Sequence, residues 1–117
     1  MLPTKVPGDP YPYDKLAESR PFDVSLPTGV YVYVQDGQGT VWIAEDGVHR
    51  HPKVLGKAQP AAAAGELVVD DGVVVEVDNV SGTFQFGPET IPQVIEALRR
   101  QGGTVAADAA RPFRWEN

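Results

Sequence analysis

The apolar positions of this chain fall into short runs broken by glycine, proline and acidic residues. Gly29 opens the run Val30-Tyr31-Val32-Tyr33-Val34, which the loop Gln35-Asp36-Gly37-Gln38-Gly39 joins to Thr40-Val41-Trp42-Ile43-Ala44. Two β-branched and aromatic runs around a glycine-rich loop predict a β-hairpin. Nearly every position in it is apolar, so both faces are expected to be covered. A second hairpin is clearer. Glu66-Leu67-Val68-Val69 and Val73-Val74-Val75-Glu76-Val77 flank Asp70-Asp71-Gly72. Asp-Gly suits a tight primed turn, whose two central residues need positive φ. Simple alternation puts Val73, Val75 and Val77 on one face and Val74, Glu76 and Asp78 on the other. Thr83-Phe84-Gln85-Phe86 reads as a further short strand.

The pattern then changes period. Ile91, Val94, Ile95 and Leu98 fall at i, i+3, i+4 and i+7, the stripe of an amphipathic helix. Thr90 and Gln93 have capping-box spacing, and Pro92 is tolerated in a first turn. Arg99 and Arg100 suit the negative end of the helix dipole, and Gly102 supplies the stop. Thr104-Val105-Ala106 reads as an edge strand, with Phe113 and Trp115 pinning the segment after it. These signals predict an α+β fold: an antiparallel sheet of about five strands built from β-hairpins, with one C-terminal amphipathic helix packed on a face.

Outside these elements the chain is less regular. Residues 1–28 hold six of the eleven prolines, which rules out a central strand there. They are expected to form an extended segment anchored by Tyr11, Tyr13, Leu16 and Phe22, with residues 29–117 as the single globular domain. Residues 45–65 form a polar turn followed by an alanine-rich stretch interrupted by Pro60. They make the longest stretch without a clear element, and long loops are often functional.

Composition narrows the classes. The chain has 117 residues, 42% hydrophobic and 22% charged, as expected for one globular domain. Its net charge of −6 and ten scattered Lys and Arg argue against nucleic acid, which needs a concentrated cationic face. The absence of cysteine excludes disulfides, thiolate metal sites and thiol nucleophiles. No apolar run reaches membrane-span length, and the N-terminus lacks a signal-peptide core. The expected compartment is the cytoplasm, unless a specialised secretion system exports the protein. The expected partner is a protein, with no membrane association.

Several segments, taken in order, resemble a known family pattern. They are His51-Pro52-Lys53-Val54-Leu55-Gly56, Ala64-Gly65-Glu66-Leu67, Asp71-Gly72, Asn79-Val80-Ser81-Gly82-Thr83-Phe84 and Pro88, followed by a helix ending at Gly102 and Gly103. The pattern H-S-S-F-L-x-G, A-G-E, a hairpin, S-G-H-Y-x-P and a helix is that of C-terminal domains of bacterial polymorphic toxins and related secreted effectors. It is also similar to plant and fungal proteins related to the IQ-motif calmodulin-binding family. This chain departs from it at the two serines, here Pro52 and Lys53, and at the second histidine, here Thr83 followed by Phe84. The spacing from His51 to Gly65 is also longer than the family's. The resemblance implies a degenerate member that has kept one histidine of a pair, hence a binding protein rather than an enzyme.

The candidate site residues follow. His51 is the possible catalytic group, with Glu66 placed to orient its imidazole or simply to sit solvated at a strand end. Asn79, Ser81 and Thr83 are candidate binding residues near the same hairpin end, where His51, Glu66, Asn79 and Ser81 could form a polar pocket. Ser81 lacks a nucleophile elbow, so a turn that bonds local backbone is the simpler account. His49 and His51 lack a third ligand, so no metal site is expected. Asp70, Asp71, Asp78 and Asn79 do not make a calcium loop, and the glycines at 37 and 39 lack the helix and lysine of a phosphate loop. No cofactor is expected. Tyr31, Tyr33, Trp42, Phe84, Phe86 and Trp115 are read as mostly core; Tyr31, Tyr33 or Trp42, if exposed, would make an aromatic contact face. The leading reading is a small non-enzymatic protein-binding domain, an accessory or antagonist in bacterial conflict. The alternative is an active effector enzyme centred on His51, which would sit in a cleft beside Ser81 or Thr83.

Overall fold

The structure is a computed structural model that describes residues 2–5, 19–45, 60–81 and 84–115. It is a mixed α/β fold: a mostly antiparallel sheet and one helix near the C-terminus. The strands are β1 (Arg20–Pro21), β2 (Gly29–Gln35), β3 (Val41–Glu45), β4 (Ala63–Asp70), β5 (Val73–Asp78), β6 (Thr104–Val105) and β7 (Ala110–Arg111). A 3-10 turn, Pro88–Thr90, leads into the helix α1, Ile91–Arg100. The sheet order is β1-β3-β2-β4-β5-β6, and β7 also pairs with β5. The sheet therefore has seven strands among the described residues, where about five were expected. The additional strands are two-residue pieces at the edges, too short to show an alternating pattern. β6 and β7 lie parallel to β5, one after the other along its outer side.

The first hairpin is β2–β3. Its loop closes with Gly39 N–H donating to the Asp36 carbonyl at 3.0 Å and Asp36 N–H to the Thr40 carbonyl at 2.9 Å. Gly39 takes φ +94°, the left-handed residue that a three-residue hairpin loop requires. Asp36 fixes the loop further, accepting the amides of Gln38 and Thr40 and the Trp42 indole N–H. In the second hairpin, β4–β5, Asp71 and Gly72 have φ of 49° and 81°, the positive values of a primed turn.

Alternation in β5 departs from expectation. Val69 pairs with Val74, yet Val68 pairs with Glu76, so Val75 is an extra residue in the ladder. The bulge turns Val74 and Val77 to the same face, where both are buried in one cluster. Of the strand expected at Thr83–Phe86, the described residues 84–86 are irregular chain with both phenylalanines buried.

Both faces of β2 are covered. Tyr31 and Tyr33 face α1 and join Val41, Ile43, Leu67, Val74, Val77, Ile91, Val94, Ala97 and Leu98 in the main core. Val32 and Val34 face the other way, with Ala44, Ala61, Ala64, Phe84 and Phe86, and Trp42 packs against them. Each large aliphatic residue that α1 buries is worth about 1.5–3 kcal/mol relative to exposure. Two glutamines fasten the helix to the sheet. Gln93 Nε2 donates to Gln35 Oε1 at 2.9 Å and to the Ala62 carbonyl at 3.2 Å. The Gln101 side-chain amide accepts Val41 N–H at 2.8 Å and donates to the carbonyls of Phe22 and Val41, both at 3.1 Å.

The expected capping box does not form. Thr90 is itself helical in φ and ψ, and its hydroxyl donates to the Gly87 carbonyl. Gln93 is drawn instead to the buried Gln35. The C-terminus follows expectation: Gly102 has φ +91°, Gly103 N–H reaches the Leu98 carbonyl and Gly102 N–H that of Arg99. The described part of the N-terminal segment lies along the domain. Lys5 and Ala61 exchange backbone hydrogen bonds, β1 pairs with β3, and Phe22 and Leu26 enter the core. Tyr11, Tyr13 and Leu16 lie outside the described residues.

Candidate functional site

The end of the β4–β5 hairpin away from its turn concentrates polar side chains. β5 ends at Asp78, whose main chain passes directly over Gly65 of β4. A Cβ built on Gly65 would fall 2.2 Å from the Asp78 carbonyl oxygen, so only glycine fits. That same carbonyl accepts the Tyr33 hydroxyl at 2.7 Å. Burial, and secondarily the Asp78 charge, push the Tyr33 phenol well above the usual tyrosine range. The Asp78 carboxylate accepts the amides of Glu66 at 2.8 Å and Val80 at 2.9 Å. It thereby ties the start of the departing loop to β4.

Asn79 is fully buried, and its side chain holds two other parts of the chain. Its Nδ2 donates to the Phe86 carbonyl at 2.8 Å and the Phe113 carbonyl at 2.7 Å, while its Oδ1 accepts Phe113 N–H at 2.8 Å. The pair of bonds to Phe113 reproduces the exchange between two strand residues. Trp115 donates its indole N–H to the same Phe86 carbonyl at 3.0 Å, and its ring meets Phe113 edge-on with centroids 4.8 Å apart. Ser81 is buried, and its Oγ accepts Phe84 N–H at 3.2 Å, a local turn bond.

At this hairpin end the Asp78 carboxylate bonds the Glu66 amide, and the buried Asn79 and Ser81 follow Asp78 in the chain. His51 and Thr83 lie outside the described residues, as does any pocket that includes them. Glu66 is half-buried at the edge of this group. Asp78, Asn79 and Ser81 bond main-chain groups of the same chain, and of the three Asn79 reaches furthest, to residue 113. Among the described residues, no three His, Asp or Glu side chains come close enough to hold a metal ion. No described helix is long and apolar enough to cross a membrane.

A groove of about 560 Å³ lies between α1 and residues 106–112, the last of which precedes Phe113. Ile91, Pro92 and Ile95 line one wall, and Ala106, Ala110 and Pro112 the other. Glu96, paired with Arg100 at 2.9 Å, and Arg99 stand at its rim. Ile95, expected in the packed stripe, is partly buried against the main core and also lines this groove, which no pattern in the sequence announced. Tyr31 and Tyr33 are core residues, so they offer no aromatic contact face; among the described residues the large exposed apolar side chains are Val24, Val30 and Phe113.

The chain matches no family model, no curated protein and no solved structure.

Proposed function

We propose that this chain is a small non-enzymatic protein-binding domain, and that it engages an extended segment of a partner protein at the Asn79 end of the sheet. One observation carries the reading. The buried Asn79 amide holds the main chain of Phe113, in the same chain, through a paired exchange of hydrogen bonds, and the neighbouring Pro112 lines an apolar groove. A sheet edge that holds an extended segment through its main chain can accept a partner's segment in the same way. The resemblance to toxin-associated domains, with its second histidine replaced, supports the same choice and suggests the biological setting: an accessory or antagonist in bacterial conflict. In the competing reading the chain is an effector enzyme whose chemistry depends on His51.

Two measurements separate them. The chain and its His51→Ala variant are expressed in a bacterial host from an inducible promoter. The binding reading expects equal growth for both; growth arrest by the parent that His51→Ala relieves would overturn it. A protein that co-purifies with the chain is then remixed from pure components. A stoichiometric complex that survives His51→Ala but is lost on Ile95→Arg, with melting retained, supports the proposal. A complex indifferent to Ile95→Arg places binding elsewhere and overturns it.

A further inference from the structure

The segment 110–115 is held by its main chain together with the Trp115 indole and the Arg111–Glu76 pair. β7 pairs with Val77 and Asp78, the Ala109 carbonyl accepts Val77 N–H at 2.8 Å, and Phe113 exchanges two bonds with Asn79. Its side chains point outward. Ala110 through Arg114 are exposed, with Phe113 at 42%, and Trp115 is half-buried. A segment with few buried apolar contacts opens locally well before the domain unfolds. Opening it uncovers the outer edge of β5 and strips the buried Asn79 amide of two partners, which makes a replacement strand favourable.

We propose that this strip, from Val77 to Asn79 and Phe86, is a binding site for an extended basic and aromatic peptide of a partner protein, and that segment 110–115 is its internal occupant. The inference rests on the protein-binding reading and names the partner's chemistry. The occupant's own sequence defines the ligand. An N–H and C=O must face Asn79, and a residue two positions later must donate to the Phe86 carbonyl as the Trp115 indole does. A basic side chain fits opposite Glu76, as Arg111 does with Nε 3.6 Å from Glu76 Oε1. The net charge of −6 favours such a peptide over an acidic one. The incoming strand would run parallel to β5, as β7 does, and would renew the groove wall that Ala110 and Pro112 now provide.

The test uses a fluorescein-labelled peptide of residues 109–115 titrated against the intact chain and followed by anisotropy. Trp115→Ala weakens the internal occupant and should tighten peptide binding about tenfold, because a larger fraction of the site is open. Asn79→Ala should abolish binding. Because that buried substitution can itself unfold the chain, Glu76→Lys at an exposed position serves as the second variant. It should weaken binding several-fold, and added salt should shrink the difference. No saturable binding to either the parent or the Trp115→Ala chain, both folded, would overturn the inference. So would binding that Glu76→Lys leaves unchanged. If the peptide fails while the reconstituted partner complex still forms, the peptide site alone is wrong and the protein-binding reading stands.

Discussion

Gly65 and Asp78 approach so closely at the hairpin end that no Cβ fits between them. The approach sets the position of everything downstream. It brings the Asp78 carbonyl to the Tyr33 hydroxyl and the Asp78 carboxylate to the Glu66 amide, and it starts the turn that buries Asn79.

Gly65→Ala is therefore expected to destabilise the fold by about 3 kcal/mol, the upper end of the overpacking range, because the clash is with backbone that no rotamer change relieves. Urea denaturation should show a lower midpoint with an unchanged slope. A midpoint equal to the parent's would mean that β5 does not cross Gly65 as described.

The docking of α1 is open to a similar check. Leu98 is fully buried among sheet side chains. Leu98→Asp removes a buried leucine and places a carboxylate where no water reaches, so the loss should be about 4 kcal/mol or more. Thermal melting by circular dichroism measures it. A variant that melts like the parent would show that the helix is not packed on the sheet.

Local chemistry was legible in the sequence, and tertiary choices were not. The Asp71-Gly72 turn was readable because its positive φ values are a property of two adjacent residues. The Gly102 stop was readable for the same reason. The bulge at Val75 was not, since it exists only relative to the partner strand at Val68. Gln93 had the spacing of a cap, but a buried amide on β2 competed for it and won. β6 falls within the edge strand expected at 104–106, whereas β7, two residues long, is a strand only because the edge of β5 is there to pair with it. The candidate site divides in the same way. Asn79 and Ser81 stood out as polar residues at a hairpin end, while the principal partner of Asn79 is 34 residues away in sequence and carries no local sign of the contact.

Tyr33 gives the pH prediction. Its phenol is fully buried, donates to the Asp78 carbonyl, and is held above the ordinary tyrosine range by burial first and by the Asp78 charge second. A group whose folded pKa is raised binds its proton more tightly folded than unfolded. Its contribution is complete below the unfolded value of about 10 and is lost as pH rises above it. The slope from this one group approaches about 1.4 kcal/mol per pH unit while the folded phenol stays protonated. Tyr33→Phe should cost about 1 kcal/mol near neutrality, from the missing hydrogen bond. Above pH 10 the variant should lose stability less steeply than the parent, so the two curves converge and then cross. The free energy of unfolding, taken from urea titrations at several pH values between 7 and 11, measures both effects. Parallel curves across that range would mean that the Tyr33 hydroxyl is reached by water and that the sheet is open at Gly65.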